Sequence, residues 1–117
     1  MIFVCSHGSD DPERAIVAFA AASTAALAGL PATVLCTIDG VWLGTEGGTD
    51  GFEKEGLPSL PELFGNVIDN GGEVWLCGIC TRPRGITEDQ CVKGAKIVGA
   101  ATVIEEVVNG AKMLTYA

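Results

Sequence analysis

At 117 residues and 12.0 kDa the chain is sized for one domain. Its 48% hydrophobic and 19% charged residues, with a mean hydropathy of +0.37, exclude a disordered chain. Seven Lys+Arg against fifteen Asp+Glu give a net charge of −8, which excludes a nucleic-acid partner gripped through its phosphates.

In chain order, Met1 to Cys5 is an apolar run that opens a strand. Asp10 or Asp11 caps a helix with Pro12 and Glu13 in its first turn, running through Ala28 to the stop at Gly29-Leu30-Pro31. Ala32 to Ile38 is a β-branched second strand. Ala15 to Ile38 carries no charge and is long enough to span a bilayer, but Gly29, Pro31 and Thr33 divide it, so it reads as helix, turn and strand and no membrane partner is expected. Gly44 to Gly51 is polar and Gly-rich, a mobile loop. Ser59-Leu60-Pro61-Glu62 has a capping-box pattern before a helix with Leu60, Leu63, Phe64, Val67 and Ile68 on one face, ended by Asn70-Gly71-Gly72. Glu73 to Cys77 is a third strand, Thr87 to Gln90 starts a short helix, Lys96 to Gly99 is a fourth strand, Thr102 to Val108 a helix, and Lys112 to Tyr116 a last strand. There is no internal repeat and no interdomain linker, so residues 1–117 form a single domain.

Alternating strands and helices, with uniformly apolar strands, predict a small doubly wound α/β domain: a parallel five-stranded sheet in flavodoxin-like order with helices on both faces. Functional atoms in such sheets gather beyond the carboxyl ends of the strands, here Cys5-Ser6-His7, Asp39-Gly40 and Cys77-Gly78-Ile79-Cys80. Two of the three arginines, Arg82 and Arg84, follow within seven residues of Cys77, and nearby cations favour a thiolate. Cys77 is thus the candidate nucleophile, Cys80 a resolving thiol, and Arg82 and Arg84 the groups that meet a substrate. His7, the only histidine, falls beside Cys77 if the first and third strands are neighbours, and can then pair with the thiolate or move its proton.

Other chemistries fit less well. Ser6-His7-Gly8-Ser9-Asp10-Asp11 is neither a P-loop nor GxGxxG, and its carboxylates repel phosphate, so no nucleotide or flavin cofactor is expected. Cys5 and His7 with Cys77 and Cys80 would make a zinc set, but a lone CxxC is half a site, and no metal is expected. The CxxC of a thioredoxin-like redox protein opens a long helix, whereas Pro83 and Gly85 follow closely here. That redox reading of the Cys77/Cys80 pair remains an alternative, as does a non-catalytic oligomeric interaction module. Five cysteines, and Met1 to Val4 without a basic n-region, predict reduced thiols in a cytoplasm.

The sequence resembles the DsrE/DsrF-like sulfur-relay family over nearly its whole length. The resemblance rests on the first strand with Gly8-Ser9-Asp10-Asp11-Pro12-Glu13-Arg14-Ala15, on Val74 to Cys80, on Arg84-Gly85-Ile86 followed by acidic residues, and on the ending Lys112 to Tyr116. It implies a protein that accepts sulfane sulfur on Cys77 as a persulfide and passes it on, with Cys80 matching a second cysteine found in some members. It also implies a homo-oligomer, a trimer or hexamer. The uncharged helix Ala15 to Ala28 is the expected contact, because a helix covering a monomer's sheet should show a polar stripe to water.

Overall fold

The computed structural model describes residues 1–53 and 55–116. Five strands, β1 (Ile2–Cys5), β2 (Thr33–Cys36), β3 (Glu73–Cys77), β4 (Ala95–Val98) and β5 (Met113–Tyr116), form one sheet in the order β4-β3-β2-β1-β5, every pair parallel. Four helices accompany them: α1 (Pro12–Leu27), α2 (Leu60–Asp69), the single turn α3 (Gly78–Thr81) and α4 (Ala100–Val108). None of the described helices is long and apolar enough to cross a membrane.

The parallel five-stranded sheet with helices on both faces is as the sequence predicts; the strand order is not flavodoxin-like. That order would set β1 beside β3, whereas β2 lies between them. The reason is packing. A right-handed crossover puts its helix on the face set by the direction of the step, so two helices on one face require two steps the same way. α1 and α2 share a face and pack on each other, with the Phe19 and Phe64 rings stacked at 5.5 Å and 16°. The chain therefore steps β1 to β2 to β3 to β4 in one direction and reverses only after β4, when α4 crosses the opposite face and delivers β5 to the free edge of β1.

The two faces follow the period-2 alternation of the strands. Phe3, Cys5, Val34, Cys36, Val74 and Leu76 point into the main core with Ile16, Phe19, Leu60, Phe64 and Val67 of the paired helices. Ile2, Leu35, Trp75 and Val98 form the smaller cluster behind, against Val103 and Ala111. The Lys96 ammonium lies 5.8 Å from the centre of the Trp75 ring and 3.1 Å from the Glu73 carboxylate, covering the edge of this cluster. α1 begins with Asp11 accepting from the Arg14 backbone N–H. Its inner side is filled by the sheet and by α2, while Val17 and Leu27 on its outer side stay exposed, so the polar stripe is missing there. Ser59 makes no side-chain cap to α2; the capping box forms instead at Thr87 and Gln90, around a single 3-10 turn, Glu88–Gln90.

The second strand stops at Cys36, two residues short of the predicted end, and Ile38–Gly44 coils into a 3-10 turn. The Gly-rich segment after it is held by Val92 N–H donating to the Gly44 carbonyl at 2.9 Å and Glu46 N–H to the Gln90 carbonyl at 3.1 Å. A Cβ on Gly40 would meet the Cys5 carbonyl oxygen at 2.3 Å, and one on Gly8 the Asp39 oxygen at 2.6 Å. The loops leaving β1 and β2 can approach this closely only because both positions are glycine.

Gly40→Ala should lower unfolding stability in urea by about 1–3 kcal/mol, since backbone must move to admit the methyl. Gly65→Ala, inside α2 with open space around its Cβ direction, should raise stability by roughly 0.5–1 kcal/mol. Equal effects of the two substitutions would contradict the close approach described.

Candidate functional site

Loops from β1, β2 and β3 leave toward the face of α1 and α2, whereas the chain after β4 leaves toward α4 on the other face. The crevice between diverging loops of neighbouring strands is where open α/β sheets place their ligands. Here it opens between the ends of β3 and β4. Cys77 closes β3 in register with Val98, the last residue of β4. Cys77 is half-buried and lines an apolar cavity with Leu35, Val98, Gly99, Ala100, Val103 and Ile104.

The chain after Cys77 coils directly into α3, which turns Cys80 inward, and Arg82–Arg84 continue as a 3-10 turn ended by Gly85 at a φ of 69°. Pro83 is accommodated in that turn. The Cys80 thiol is buried beside the Cys77 sulfur, within hydrogen-bond reach. Burial pushes the Cys80 thiol up from its ordinary range; a backbone hydrogen bond at Ile38 opposes this, the Cys77 sulfur adds to it, and the Arg84 charge offsets a further part.

Arg84 ties this loop to the end of β2. Its Nε and one Nη donate to Asp39 Oδ1 at 3.2 and 3.0 Å, and the other Nη donates to the Cys80 carbonyl at 3.0 Å. Its guanidinium is thus committed to protein partners, and Arg82 is the arginine of the pair exposed to solvent. Asp39, which the sequence places at a strand end but gives no role, sits next to Ile38, a β-branched residue held at a φ of 52° and 52% exposed. Such a left-handed β-branched residue costs of order 1–3 kcal/mol.

His7 lies one strand further away than a flavodoxin order places it. Its Nδ1 is 2.7 Å from Asp10 Oδ2, and the Gly8 N–H donates to Asp10 Oδ1 at 2.8 Å. Desolvation works against ionisation of Asp10, but the His7 ring and the Gly8 N–H outweigh it and hold the carboxyl below its usual range. Cys5 is also drawn elsewhere. It stands in register with Cys36 on the adjacent strand, both fully buried, and its Sγ lies 3.3 Å from the His7 carbonyl. The Cys5 sulfur and burial together push the Cys36 thiol well above its ordinary range. The zinc set weighed from the sequence is therefore not brought together, and no group of three or more His, Cys, Asp or Glu among the described residues could hold a metal. The Cys5–Cys36 pairing had one available signal, a cysteine in each of the first two predicted strands, but it needs the strand order to be seen.

The model of the DsrE/DsrF-like family matches residues 1–116. The chain belongs to this family. Among curated relatives, "Uncharacterized protein MK0008" of Methanopyrus kandleri is 32% identical over 94 residues, 80% of this chain and 74% of that protein. "Uncharacterized protein MJ0989" of Methanocaldococcus jannaschii is 29% identical over 104 residues, 89% of this chain and 88% of that protein. A third, "Uncharacterized protein MJ0760" of the same organism, is 26% identical, and the matched region spans 38% of its length. The fold matches MTH1491 from Methanobacterium thermoautotrophicum, a protein of unknown function, with a TM-score of 0.73 at 16% identity over 97% of this chain and 96% of that one. It also matches the YchN protein of E. coli, with a TM-score of 0.63 at 18% identity and the same coverage.

Limited alkylation at neutral pH should label Cys77 first. Cys80 and Cys91, whose thiols burial raises, should lag at pH 7 and gain relative reactivity as the pH climbs past 9. Cys5 and Cys36 should label only after denaturant is added. Early labelling of Cys36 in the folded protein, read by peptide mass mapping, would contradict this order.

Proposed function

We propose that the protein of this DsrE/DsrF-like domain is a sulfur carrier that takes sulfane sulfur onto Cys77 as a persulfide and hands it to an acceptor thiol. The observation that carries the reading is the position of Cys77: half-buried at the strand end, in the crevice where the loops diverge, with a second thiol against it. The Cys77 thiolate attacks the outer sulfur of a donor, forming the Sγ–S bond as the donor's S–S or S–sulfonate bond breaks. An acceptor thiolate then attacks that outer sulfur, and Cys77 leaves as thiolate.

Cys80 suits the resolving role. Held protonated by burial, it does not compete with Cys77 for the donor. When it attacks Cys77 Sγ, the Cys77–Cys80 disulfide forms and the carried sulfur leaves as hydrogen sulfide, so atoms and electrons balance. The α3 turn is only four residues long, which weighs against a thioredoxin-like redox centre, whose CxxC opens a long helix. Purified protein given thiosulfate or polysulfide should gain one sulfur per chain by intact mass, and Cys77→Ser should abolish the gain. Cys80→Ser should keep it and lengthen the persulfide's lifetime. Loading of Cys77→Ser at the wild-type level would overturn the proposal.

The chain is further proposed to self-associate, as a trimer or hexamer, through apolar surface that includes the outer side of α1, where Val17 and Leu27 are exposed. The outer side of α4 and the edge strand β5 leave Val107, Val108, Met113 and Leu114 exposed, with Val108 at 78%. An unpaired strand edge beside exposed apolar side chains is a surface that soluble proteins cover. Light scattering at micromolar concentration should return a multiple of the chain mass, and Val108→Glu with Leu114→Glu should reduce it. A monodisperse 12 kDa wild-type species would exclude self-association.

A further inference from the structure

A second cavity lies on the opposite face of the sheet from the Cys77 slot, where the Gly-rich segment meets α2. Leu43, Phe64, Ile68 and Val92 give it an apolar lining, and its volume is about 300 Å³, room for roughly ten waters at ~30 Å³ each. Gly47 and Thr49 of the Gly-rich segment form one wall, which the backbone bonds from Val92 to Gly44 and from Glu46 to Gln90 hold in place. Gly65 keeps the space open. It lies inside α2, where glycine is a poorer helix former than alanine, and its φ is not positive. A Cβ there would meet no described atom within 4 Å, so neither backbone geometry nor crowding calls for glycine. A long side chain at this position extends into the cavity that Gly65 lines. The helix thus gives up stability where doing so preserves an apolar space, a trade that binding sites make.

Two exposed charges of opposite sign, Lys93 and Asp69, line the same cavity. Neither has an ion-pair partner among the described residues. Asp69 is the last residue of α2, so the negative end of the helix adds to its carboxylate and favours a cation there. Lys93 favours an anion. A ligand of net negative charge is opposed by a chain of net charge −8, and a lone ammonium leaves Lys93 unanswered. A small molecule with both charges at one end and an apolar group at the other answers the lining and both charges together.

We propose that this cavity binds a free α-amino acid with an apolar side chain of leucine to phenylalanine size. The side chain leaves water for the surface of Leu43, Phe64 and Ile68 beside Gly65, the ammonium meets Asp69, and the carboxylate meets Lys93. The site is separate from Cys77 and stands without the sulfur-carrier reading.

Isothermal titration of the full chain compares L-phenylalanine with phenethylamine and 3-phenylpropionate, each of which keeps the ring and one of the two charges. L-Phenylalanine should bind at least about threefold tighter than either, the scale of one exposed charge contact. Lys93→Glu and, separately, Asp69→Lys change exposed side chains and should each weaken L-phenylalanine by at least about threefold. Gly65→Met, its fold checked by circular dichroism, should bind at least about tenfold more weakly, because its side chain takes the space. If Gly65→Met does not fold, the two charge variants decide the site. No binding of L-phenylalanine or L-leucine at about 10 mM would overturn the proposal. Equal affinity for the three phenyl compounds would overturn the amino-acid assignment. Wild-type affinity in both charge variants, or in a folded Gly65→Met, would overturn this cavity as the site.

Discussion

The packing of α1 on α2 is the constraint from which the rest of the molecule follows. Phe19 and Phe64 stack across it, and the small residues Ala15, Ala18, Ala22 and Ala26 let α1 lie close to what it covers. Burying two such aromatic side chains is worth several kcal/mol, and moving either helix to the other face would forfeit it. With both helices on one face, right-handed crossovers leave the chain one direction of travel until α4. The crevice therefore opens between β3 and β4, and the cysteine that ends β3 faces it.

A second set of contacts fixes the loops around that crevice. Gly8 and Gly40 let the β1 and β2 loops touch at backbone distance, and Arg84 draws the cysteine loop to Asp39. The ion pair itself is modest, because the Asp39 side chain is 45% exposed and water screens it. Its value is geometric, since one planar guanidinium holds a carboxylate and the Cys80 carbonyl at once. The strained Ile38 sits between these anchors, with Asp39 held by Arg84 on one side of it and the close approach at Gly40 just beyond.

Much of this was legible in the sequence. The apolar strands, the Pro12 helix start, the Gly71-Gly72 stop and the cysteine segment identify the elements and the parallel sheet, because each is a local signal of backbone chemistry. Strand order is not local. It depends on which faces of α1 and α2 meet, and an Ala-rich helix gives no direction by itself. His7 was misplaced relative to Cys77 for that reason, and the Cys5–Cys36 pair was hidden for the same one. The partner of Arg84 was equally out of reach, since Asp39 lies 45 residues away and meets it only through the 3-10 turn after β2. The cavity walls drawn from α4 carried a faint signal, the apolar Val103 and Ile104 in the predicted helix Thr102 to Val108.

Trp75 gives the back face an optical property of its own. It is 5% exposed, packed with Leu35 and Val98, the same side chains that wall the cavity beside Cys77, and it stands two residues before that cysteine on the same side of β3. The other tryptophan, Trp42, is 42% exposed on the 3-10 turn. One indole thus emits from hydrocarbon and one from water, at separable wavelengths. A molecule bound in the crevice, or displacement of α4, alters the surroundings of the first while the second stands as an internal reference, so the domain carries its own two-colour gauge of what occupies the crevice.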